Sequence, residues 1–460
     1  MRFTDVAAVT GGTLLDNETG DMIFRGISID SRQVKPGELF IAIRGENQDG
    51  HAYIDQALQR GAAGVLAEAS YTRGEGTGQA AVVTVANSHE AMIELAKNYR
   101  SSLRGKFIGI TGSNGKTTTK ELCYRLLKAV EPDTYCSPGN LNNLYGVPLA
   151  LFAVDSEAKV VVLEMGISTR NEMPRLADIV RPEVILITNV GPSHLEFLDT
   201  VEEVARCKLE LVRRAAPSVP LIVNADDALL VRETKKVRGD FFTFALNSSA
   251  DFTVDDLQVA DDGTTMVRIE NHVFRLPLVG RHQVYNLLAA YAVFRTIGYD
   301  FEGIETRDMK LGTAPMRGQR MEMEGIVFVA DCYNANPESV RAGLEAYFAT
   351  KTGGRRVLIL GDMLELGETS EQYHRRVGQM LAARSFDKAM LVGEQSKYIM
   401  DEAIKAGAKP EFFDHFDQAE HAARSAKEFL REGDFVYIKG SRGIGLEAVL
   451  NVFGETEEQK

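Results

Sequence analysis

The chain has 460 residues, of which 44% are hydrophobic, and its formal net charge at pH 7 is -13. This length predicts about three domains, and so negative a surface argues against a nucleic-acid-binding protein, because it repels phosphate. No stretch approaches the roughly 18 consecutive apolar residues of a membrane span, and the four cysteines lack metal-ligand spacing. We therefore expect a cytoplasmic protein that neither binds nucleic acid nor inserts into a membrane.

Residues 1–105 are predicted to form a small α/β domain. Residues 27–32 and 38–43 are predicted to form strands, and a Lys-Pro-Gly turn separates them. Two polar segments, 30–32 (Asp-Ser-Arg) and 44–51, could bind a ligand. Taken alone, each is more typical of a turn, so the function of this domain stays open at this point.

A glycine-rich segment, KFIGITGSNGKTTTK, follows this domain and carries the strongest functional signal. It lies between an apolar strand pattern and a helical pattern, and Gly112 and Gly115 allow backbone N–H groups to turn toward an anion. In such loops the lysine, here Lys116, reaches the β- and γ-phosphates, and the next hydroxyl, that of Thr117, binds Mg²⁺. The match to GxxxxGK[ST] is imperfect because Ile110 stands where the first glycine should be. The alternative is a glycine-rich turn with a surface lysine.

Residues 106–313 are predicted to form a mononucleotide-binding P-loop domain, because their apolar strands are typical of a parallel sheet covered on both faces. Ligands bind at the carboxyl ends of such strands, so the polar residues after them matter. Glu164 ends one predicted strand and could hold Mg²⁺ beside Thr117, and His194 lies in the loop after another and could hold a second cation. Taken alone, His194 is an ordinary loop histidine, and Lys208, on the next helix, is a solvated charge.

Residues 314–460 are predicted to form a second alternating unit, a Rossmann-like α/β domain. Polar segments again follow the predicted strands, at 331–337, 361–363 and 439–443. The joining segment, 312–320, is rich in glycine and arginine and contains a proline, which is typical of a hinge whose arginines face a bound anion. The fold class expected for the whole chain is therefore α/β in three domains.

Together these motifs resemble the Mur ligases, the ATP-dependent amide-forming enzymes of peptidoglycan precursor synthesis, a family that includes the folylpolyglutamate synthetases. The similarity covers essentially the whole chain in the family's three-domain order. Besides the glycine loop, it rests on NLNN (140–143), EMG (164–166), NVGPSHLE (189–196), Lys208 and GRH (280–282). One departure is Gln283, where the family usually has asparagine, whereas Asn286 is retained.

Four further segments are most similar to the members that add D-alanyl-D-alanine to UDP-N-acetylmuramoyl-tripeptide. They are DCYNANP (331–337), GDMLELG (361–367), DSR (30–32) and GHAYI (50–54). The resemblance implies that ATP phosphorylates the terminal carboxylate of the UDP-linked peptide, and that the amine of the dipeptide attacks the acyl phosphate. A diaminopimelate- or lysine-adding ligase is an alternative, although its Asp-Asn-Pro-Arg-type motif is not seen. Two further alternatives are a folylpolyglutamate synthetase, whose glycine loop lies close to its start, and a P-loop ATPase that acts through partners.

The resemblance also assigns residues to ATP. The loop residues expected at the phosphates are Gly112, Ser113, Asn114, Gly115, Lys116, Thr117 and Thr118. Contacts to the rest of the nucleotide are implied for Asn286, Asn334 and Asn336 at the adenine, Asp331 at the ribose and Arg320 at the phosphates. Asn140 would approach the phosphates or the metal. The hinge near 313–318 would bring the last domain over ATP, since an acyl phosphate hydrolyses when water reaches it.

Two Mg²⁺ ions are implied by the same resemblance. Thr117 and Glu164 would hold the first, and His194 and Lys208 the second. A protonated lysine has no lone pair to offer a cation, so the resemblance implies that Lys208 is carbamylated. Lys116, His194 and Lys208 are then the expected catalytic residues.

The remaining expectations concern substrates and assembly. The UDP moiety would be held by Ser31, Arg32, Asp49 and His51. Candidates for the dipeptide pocket are Tyr333, Asp362 and Leu364. We expect a monomer whose only partners are these small molecules.

Overall fold

The computed structural model describes residues 1–45, 48–71, 80–260, 264–276, 280–309, 311–312 and 314–454. Glu46 and Asn47 of the polar segment 44–51, and Thr313 at the predicted hinge, lie outside the described residues. The chain forms two compact units. The first unit contains residues 1–109, 133–167 and 172–183, and the second contains residues 110–132, 168–171 and 184–460.

The first unit contains a five-stranded sheet with a helical layer on each face. Its strands are β1 (Thr13–Leu14), β2 (Ile27–Ser28), β3 (Leu39–Ile41), β4 (Gly64–Glu68) and β5 (Ala81–Val85), in the order β1-β5-β4-β3-β2. Strands β2 to β5 are parallel, and β1 is antiparallel to β5. The helices are α1 (Phe3–Thr10), α2 (Ile54–Gln59) and α3 (Ser88–Ser102).

Successive side chains of these strands point to opposite faces, and each face has its own core. Leu39 and Ile41 pack with residues of α1 and α3, whereas Phe40 packs with residues of α2. The two strands expected over 27–32 and 38–43 are confirmed, but they are shorter than expected.

The central domain is divided between the two units. The first unit holds the parallel pair β7 (Thr134–Cys136) and β8 (Val160–Glu164) with helices α5 (Gly146–Phe152) and α6 (Glu172–Val180). The second holds β9 (Val184–Ile187), β10 (Leu221–Asn224) and β11 (Phe242–Phe244), which are also parallel. Strand β6 (Lys106–Thr111) crosses from one unit to the other.

The rest of the second unit's central part is helical, with one small antiparallel sheet. The helices are α4 (Lys116–Val130), α7 (Leu195–Leu198), α8 (Val201–Arg214), α9 (Ala228–Val237) and the largely buried α10 (Arg281–Thr296). The small sheet contains β12 (Asp256–Val259), β13 (Thr265–Ile269) and β14 (His272–Leu276).

The C-terminal part is a six-stranded sheet in the order β15-β16-β20-β17-β18-β19, parallel except for the β15–β16 hairpin. Its strands are β15 (Gln319–Met323), β16 (Ile326–Ala330), β17 (Arg356–Gly361), β18 (Lys388–Val392), β19 (Phe413–Phe416) and β20 (Phe435–Lys439). Its helices are α11 (Pro337–Ala349), α12 (Ser370–Ala382), α13 (Lys397–Lys405), α14 (Ala419–Phe429) and α15 (Glu447–Gly454). Helices α14 and α15 pack on one face, and α11, α12 and α13 on the other.

The expected fold class is confirmed, because the protein is a three-domain α/β protein with parallel sheets in its central and C-terminal domains. The domain boundaries after residues 105 and 313 stay a prediction. None of the described helices combines the length and the apolar composition needed to cross a membrane.

Asp226, directly after β10, joins the loops that follow β10 and β11 to helix α10. Its carboxylate accepts hydrogen bonds from the backbone N–H groups of Leu246 and Asn247 and from the hydroxyl of Tyr285. Burial raises the pKa of Asp226, but hydrogen bonds from Ser248 and from these three groups outweigh it and lower the pKa to about 2. The ionised carboxylate is therefore favoured in the folded state.

Replacing this carboxylate, by Asp226→Asn, should lower the free energy of unfolding at pH 7 by about 1–2 kcal/mol, allowing for screening by solvent. Because the pKa is depressed by folding, the stabilisation is complete well above pH 3.8, falls to roughly half near pH 3 and is lost toward pH 2. Urea unfolding at pH 7 and pH 3 measures it, with the exposed Asp240→Asn as control. A stability difference that stays constant down to pH 3 would contradict this assignment.

Candidate active site

The glycine loop connects β6 to α4 and has a backbone that only glycine adopts easily. Gly112 and Gly115 have φ values of 148° and 78°. A Cβ atom at Gly112 would lie 2.0 Å from the Thr188 hydroxyl, and one at Gly115 would lie 2.2 Å from Oδ1 of Asn286. The N-cap residue of α4 is Gly115, which has no side chain to cap the helix. The first N–H groups of α4, together with the helix dipole, therefore suit an anion such as phosphate.

The segment after β9 holds this loop in place. Asn189 accepts hydrogen bonds at its backbone oxygen from the N–H of Ser113 (3.0 Å) and at Oδ1 from the N–H of Asn114 (2.9 Å). The Ser113 hydroxyl donates to the carbonyl of Gly191 at 3.1 Å and lies 3.1 Å from the Ser193 hydroxyl. The sequence NVGPSH therefore fixes the loop before any ligand binds.

Two lysines lie at this loop. Lys116 Nζ donates hydrogen bonds to the carbonyl oxygens of Gly112 (2.8 Å) and Ser113 (3.3 Å). Lys208, on α8, is only 1% exposed, so the interpretation of it as a solvated charge is wrong. Burial, and then the positive charge of Lys116, lower the pKa of Lys208 well below its usual range. Its amine is therefore favoured in the neutral, nucleophilic form.

Glu164 ends β8 in the first unit, where it is buried. Its Oε1 accepts a hydrogen bond from Nδ2 of Asn142 at 2.7 Å, and the carbonyl of Asn142 accepts one from the N–H of Gly166. The NLNN segment thus orients a buried carboxylate at the carboxyl end of a strand, where a metal ligand is expected. Asn140 itself is exposed.

His194 lies at the start of α7 and faces an acidic residue of the loop that follows β17. Its Nδ1 is 2.6 Å from Oε2 of Glu365. The ring is not turned for an ideal hydrogen bond, but His194 lowers the pKa of the Glu365 carboxyl, against the opposite effect of burial. The pair is thus a close contact between the loop after β9 and the C-terminal sheet.

A second contact joins the C-terminal sheet to the glycine loop. Asn336 caps α11 by accepting a hydrogen bond from the N–H of Ser339, and its Nδ2 donates to Oδ1 of Asn114 at 2.7 Å. The start of α11 is therefore held at the phosphate loop within the second unit.

Asp331, at the end of β16, is held by two buried side chains of β20. Its Oδ2 accepts hydrogen bonds from Lys439 Nζ at 2.8 Å and from the Tyr437 hydroxyl at 3.0 Å. Lys439 also donates to the carbonyl of the exposed Asn334 at 3.2 Å. The hydrogen bonds from Lys439 and Tyr437 both end on Oδ2 of Asp331, and together they fix the orientation of this carboxylate.

Models of three Mur ligase domains match the chain in succession. They are the Mur ligase family catalytic domain at residues 23–100, the Mur ligase middle domain at 110–294 and the Mur ligase glutamate ligase domain at 316–442. The UDP-N-acetylmuramoyl-tripeptide–D-alanyl-D-alanine ligase of Bacillus subtilis is 32% identical over 97% of this chain and 96% of its own length. The chain belongs to the Mur ligase family.

Other relatives within the family show the same extent of similarity. The enzyme of the same name from Treponema pallidum is 34% identical over 97% of both chains. A crystal structure of MurF from Acinetobacter baumannii matches with a TM-score of 0.85 and 26% identity over 98% of both chains. MurF from Thermotoga maritima, in complex with ADP, matches with a TM-score of 0.77 and 29% identity over 94% of this chain and 98% of its own.

The second unit brings together most of the residues that resemblance to the Mur ligases assigns to ATP. Asn286 is buried on α10 and faces α4. Its Oδ1 accepts a hydrogen bond from the Thr119 hydroxyl at 3.3 Å, and its Nδ2 donates one to Oε1 of Gln283 at 3.1 Å. Gln283, which departs from the family pattern, therefore orients Asn286. Thr118 is buried in the first turn of α4, and Arg320 is exposed on β15.

The residues assigned to the UDP moiety are engaged within the first unit. The Ser31 hydroxyl donates to Oε1 of Gln56 at 2.6 Å, and Arg32 pairs with Asp30 at 2.8 Å. His51 has both ring nitrogens occupied, by Asp49 at 2.6 Å and by the backbone N–H of Glu68 at 2.9 Å. The backbone N–H and the ring of His51 lower the pKa of Asp49 to about 2. These contacts stabilise local turns of the first unit. Binding of UDP by these residues stays a prediction.

The dipeptide-pocket candidates differ in what they offer a ligand. Asp362 is buried and accepts hydrogen bonds from the N–H groups of Ser396 (2.7 Å) and Gln395 (3.1 Å). Leu364 is exposed, and the ring of Tyr333 lies under the guanidinium of Arg317, 4.1 Å from its centroid. Leu364 is therefore the most accessible of the three candidates.

Sequence reasoning placed Asn189, Lys439 and Glu365 in segments of interest but gave none of them a role, and it did not mention the contact that Tyr437 makes. Asn189, Lys439 and Glu365 lie at or after the carboxyl end of a strand, which is the signal that drew attention to their segments. Among the described residues, no three His, Cys, Asp or Glu side chains form a ready metal site.

Proposed function

We propose that this protein is an ATP-dependent ligase that joins D-alanyl-D-alanine to UDP-N-acetylmuramoyl-tripeptide and releases ADP and phosphate. The observation that carries the proposal is the buried Lys208 beside the phosphate loop and Lys116. A switch or transport ATPase gives no use to a buried amine at this place. The similarity to enzymes of this name, over nearly the whole chain, supports the choice of substrates.

The glycine loop fits ATP, because its positive-φ glycines and the uncapped start of α4 form a cradle for phosphate. Lys116 would leave the loop carbonyls that it now contacts and stabilise the charge that develops on the transferred phosphoryl group. Asp331, held by Lys439 and Tyr437, offers a fixed carboxylate for the ribose. Asn286 and the Asn334–Asn336 segment are proposed at the adenine.

The chain's residues also fit Mg²⁺, which would neutralise the phosphate oxygens and the developing acyl phosphate. Thr117 offers a hydroxyl and His194 an imidazole. A neutral, buried Lys208 reacts with carbon dioxide to give a carbamate and a proton, which turns an amine into an oxygen ligand. Glu164, oriented by Asn142, is the remaining proposed ligand.

The contacts of the C-terminal sheet suggest how water is kept from the acyl phosphate. Asn336 bonds to Asn114 of the glycine loop, and Glu365 lies against His194. Both contacts bring C-terminal loops over the place proposed for the phosphates. We infer that closure of this kind accompanies catalysis, and that the protein acts as a cytoplasmic monomer.

The deciding experiment is phosphate release with Mg²⁺-ATP and UDP-N-acetylmuramoyl-tripeptide in the presence of different acceptors. We expect release that requires both the tripeptide and D-alanyl-D-alanine, with none from diaminopimelate, lysine or buffer alone. Turnover only with the UDP-dipeptide and a single amino acid would assign the protein to the preceding type of ligase. Release that ignores every acceptor would contradict the ligase proposal and favour an ATPase.

A further inference from the structure

The assignments above leave Glu365 without a function, although it touches a proposed catalytic residue. Its Oε2 lies 2.6 Å from Nδ1 of His194, and the two side chains are 47% and 22% exposed. An isolated surface ion pair of this kind is worth little. The surrounding backbone shows that this pair is held more tightly than a chance surface contact.

Both residues adopt the left-handed backbone conformation, with φ values of 54° at His194 and 61° at Glu365. For a residue other than glycine, such a conformation is strained and persists only where the surroundings impose it. The two strained residues, His194 and Glu365, turn their side chains toward each other, one from the start of α7 and the other from the loop after β17.

The backbones of the two segments are also joined directly. The N–H of Glu196 donates to the carbonyl of Glu365 at 3.3 Å. A Cβ atom at Gly367 would lie 3.3 Å from Cα of Glu196, so a glycine permits this close approach. The segment from Glu365 to Gly367 is therefore fitted against the start of α7.

A carboxylate at Nδ1 decides which ring nitrogen is free. A neutral imidazole carries one N–H, and an acceptor at Nδ1 draws that proton there, which leaves the lone pair on Nε2. A carboxylate behind a metal-binding histidine fixes the tautomer and the ring orientation in this way. Glu365 Oε2, 2.6 Å from Nδ1, is near enough to do this for His194 once the ring turns to point its N–H at the carboxylate.

We propose that Glu365 is a positioning residue, which holds the His194 ring so that Nε2 is presented to a divalent cation. This inference rests on the proposed function, because it takes His194 as a cation ligand. Glu365 lies in the loop that follows β17 of the C-terminal sheet. The orientation of His194 therefore depends on how this loop packs against α7. Docking of the C-terminal loop and readiness of the cation site are thereby coupled.

Two variants separate charge from acceptor capacity. Glu365→Gln keeps an acceptor and removes the charge, and Glu365→Leu removes both. Glu368→Gln, an exposed carboxylate three residues along the same loop, is the matched control. In histidine-¹⁵N-labelled protein without metal, with the signal of His194 assigned from its loss in His194→Gln, we expect the Nδ1–H tautomer. Glu365→Leu should lose this preference and Glu365→Gln should weaken it, whereas the control should keep it.

The second measurement is the affinity for Mn²⁺ in the presence of ADP, which needs no turnover. Loss of a carboxylate behind a metal-binding histidine typically lowers the affinity about 10–100-fold, so we expect such a loss in Glu365→Leu and a smaller one in Glu365→Gln. An unchanged tautomer together with an affinity within about twofold of the control would overturn the proposal, whatever the melting temperature of the variant. If the tautomer and affinity change as expected but no acceptor supports ligation, the positioning inference stands and the proposed function fails.

Discussion

Replacing Lys116 by alanine should lower the rate of acyl-phosphate formation about 10³-fold, the usual cost of removing a preorganised group that stabilises developing charge. The ammonium group is held at the glycine loop by the carbonyls of Gly112 and Ser113. It therefore already lies at the loop before ATP binds, and it has only to exchange these two carbonyls for phosphate oxygens. The binding of ADP should weaken far less, because the loop N–H groups and the α4 dipole remain.

The rate of acyl-phosphate formation in Lys116→Ala is measured as single-turnover formation of ADP from bound ATP and tripeptide. The smaller loss of affinity for ADP is measured by equilibrium binding. Lys128→Ala is the control, because Lys128 lies in the last turn of the same helix, where it is exposed and donates a hydrogen bond to the carbonyl of Pro132. A variant that loses ADP binding and turnover to the same extent would show that Lys116 acts in binding alone. The assignment of Lys116 to phosphoryl transfer would then be wrong.

The sequence predicted the architecture well wherever strands are buried on both faces. The apolar runs at β8, β9 and β17 stand out from their surroundings, and the structure places a parallel strand at each. Strand β19 was missed because its Asp and His residues break the apolar run and only Phe413 is fully buried. An edge strand with one solvent face has too weak a pattern for this kind of recognition.

The candidate site was predictable only in part, because its decisive contacts join distant parts of the chain. Asn336 and Asn114 are separated by 222 residues, and nothing in either local pattern indicates that they meet. The same holds for His194 and Glu365. The phosphate loop itself was recognised because strand, glycines and helix start are adjacent in sequence.

The sequence also did not indicate which charged residues are buried. An amphipathic helix normally exposes its lysines, and from the sequence of α8 alone Lys208 has the pattern of a solvated charge. The fold instead turns it inward beside Lys116, where desolvation and the neighbouring charge both oppose protonation. A buried lysine whose pKa is lowered in this way is a candidate for chemistry rather than a source of stability.

This burial leads to the prediction for Lys208. Lys208→Met should lower the steady-state rate with saturating substrates about 10³-fold, because loss of a cation ligand removes several kcal/mol of transition-state stabilisation. Methionine has a similar length and carries no group that must be desolvated, so the melting temperature should stay the same or rise. Activity and stability would then move in opposite directions, which excludes unfolding as the cause of the lost activity.

The proposed carbamate on Lys208 can be tested directly. Protein incubated with ¹³C-bicarbonate should show one protein-bound carbamate carbonyl resonance, which Lys208→Met removes and which the control Lys235→Ala, an exposed lysine on α9, leaves in place. A resonance that survives in Lys208→Met would locate the carbamate elsewhere. If the activity of Lys208→Met stays within tenfold of that of the protein without the substitution, Lys208 is not a cation ligand. Since the pKa of Lys208 is lowered in any case, such a result would leave a neutral lysine beside Lys116 that could act only by positioning its neighbours.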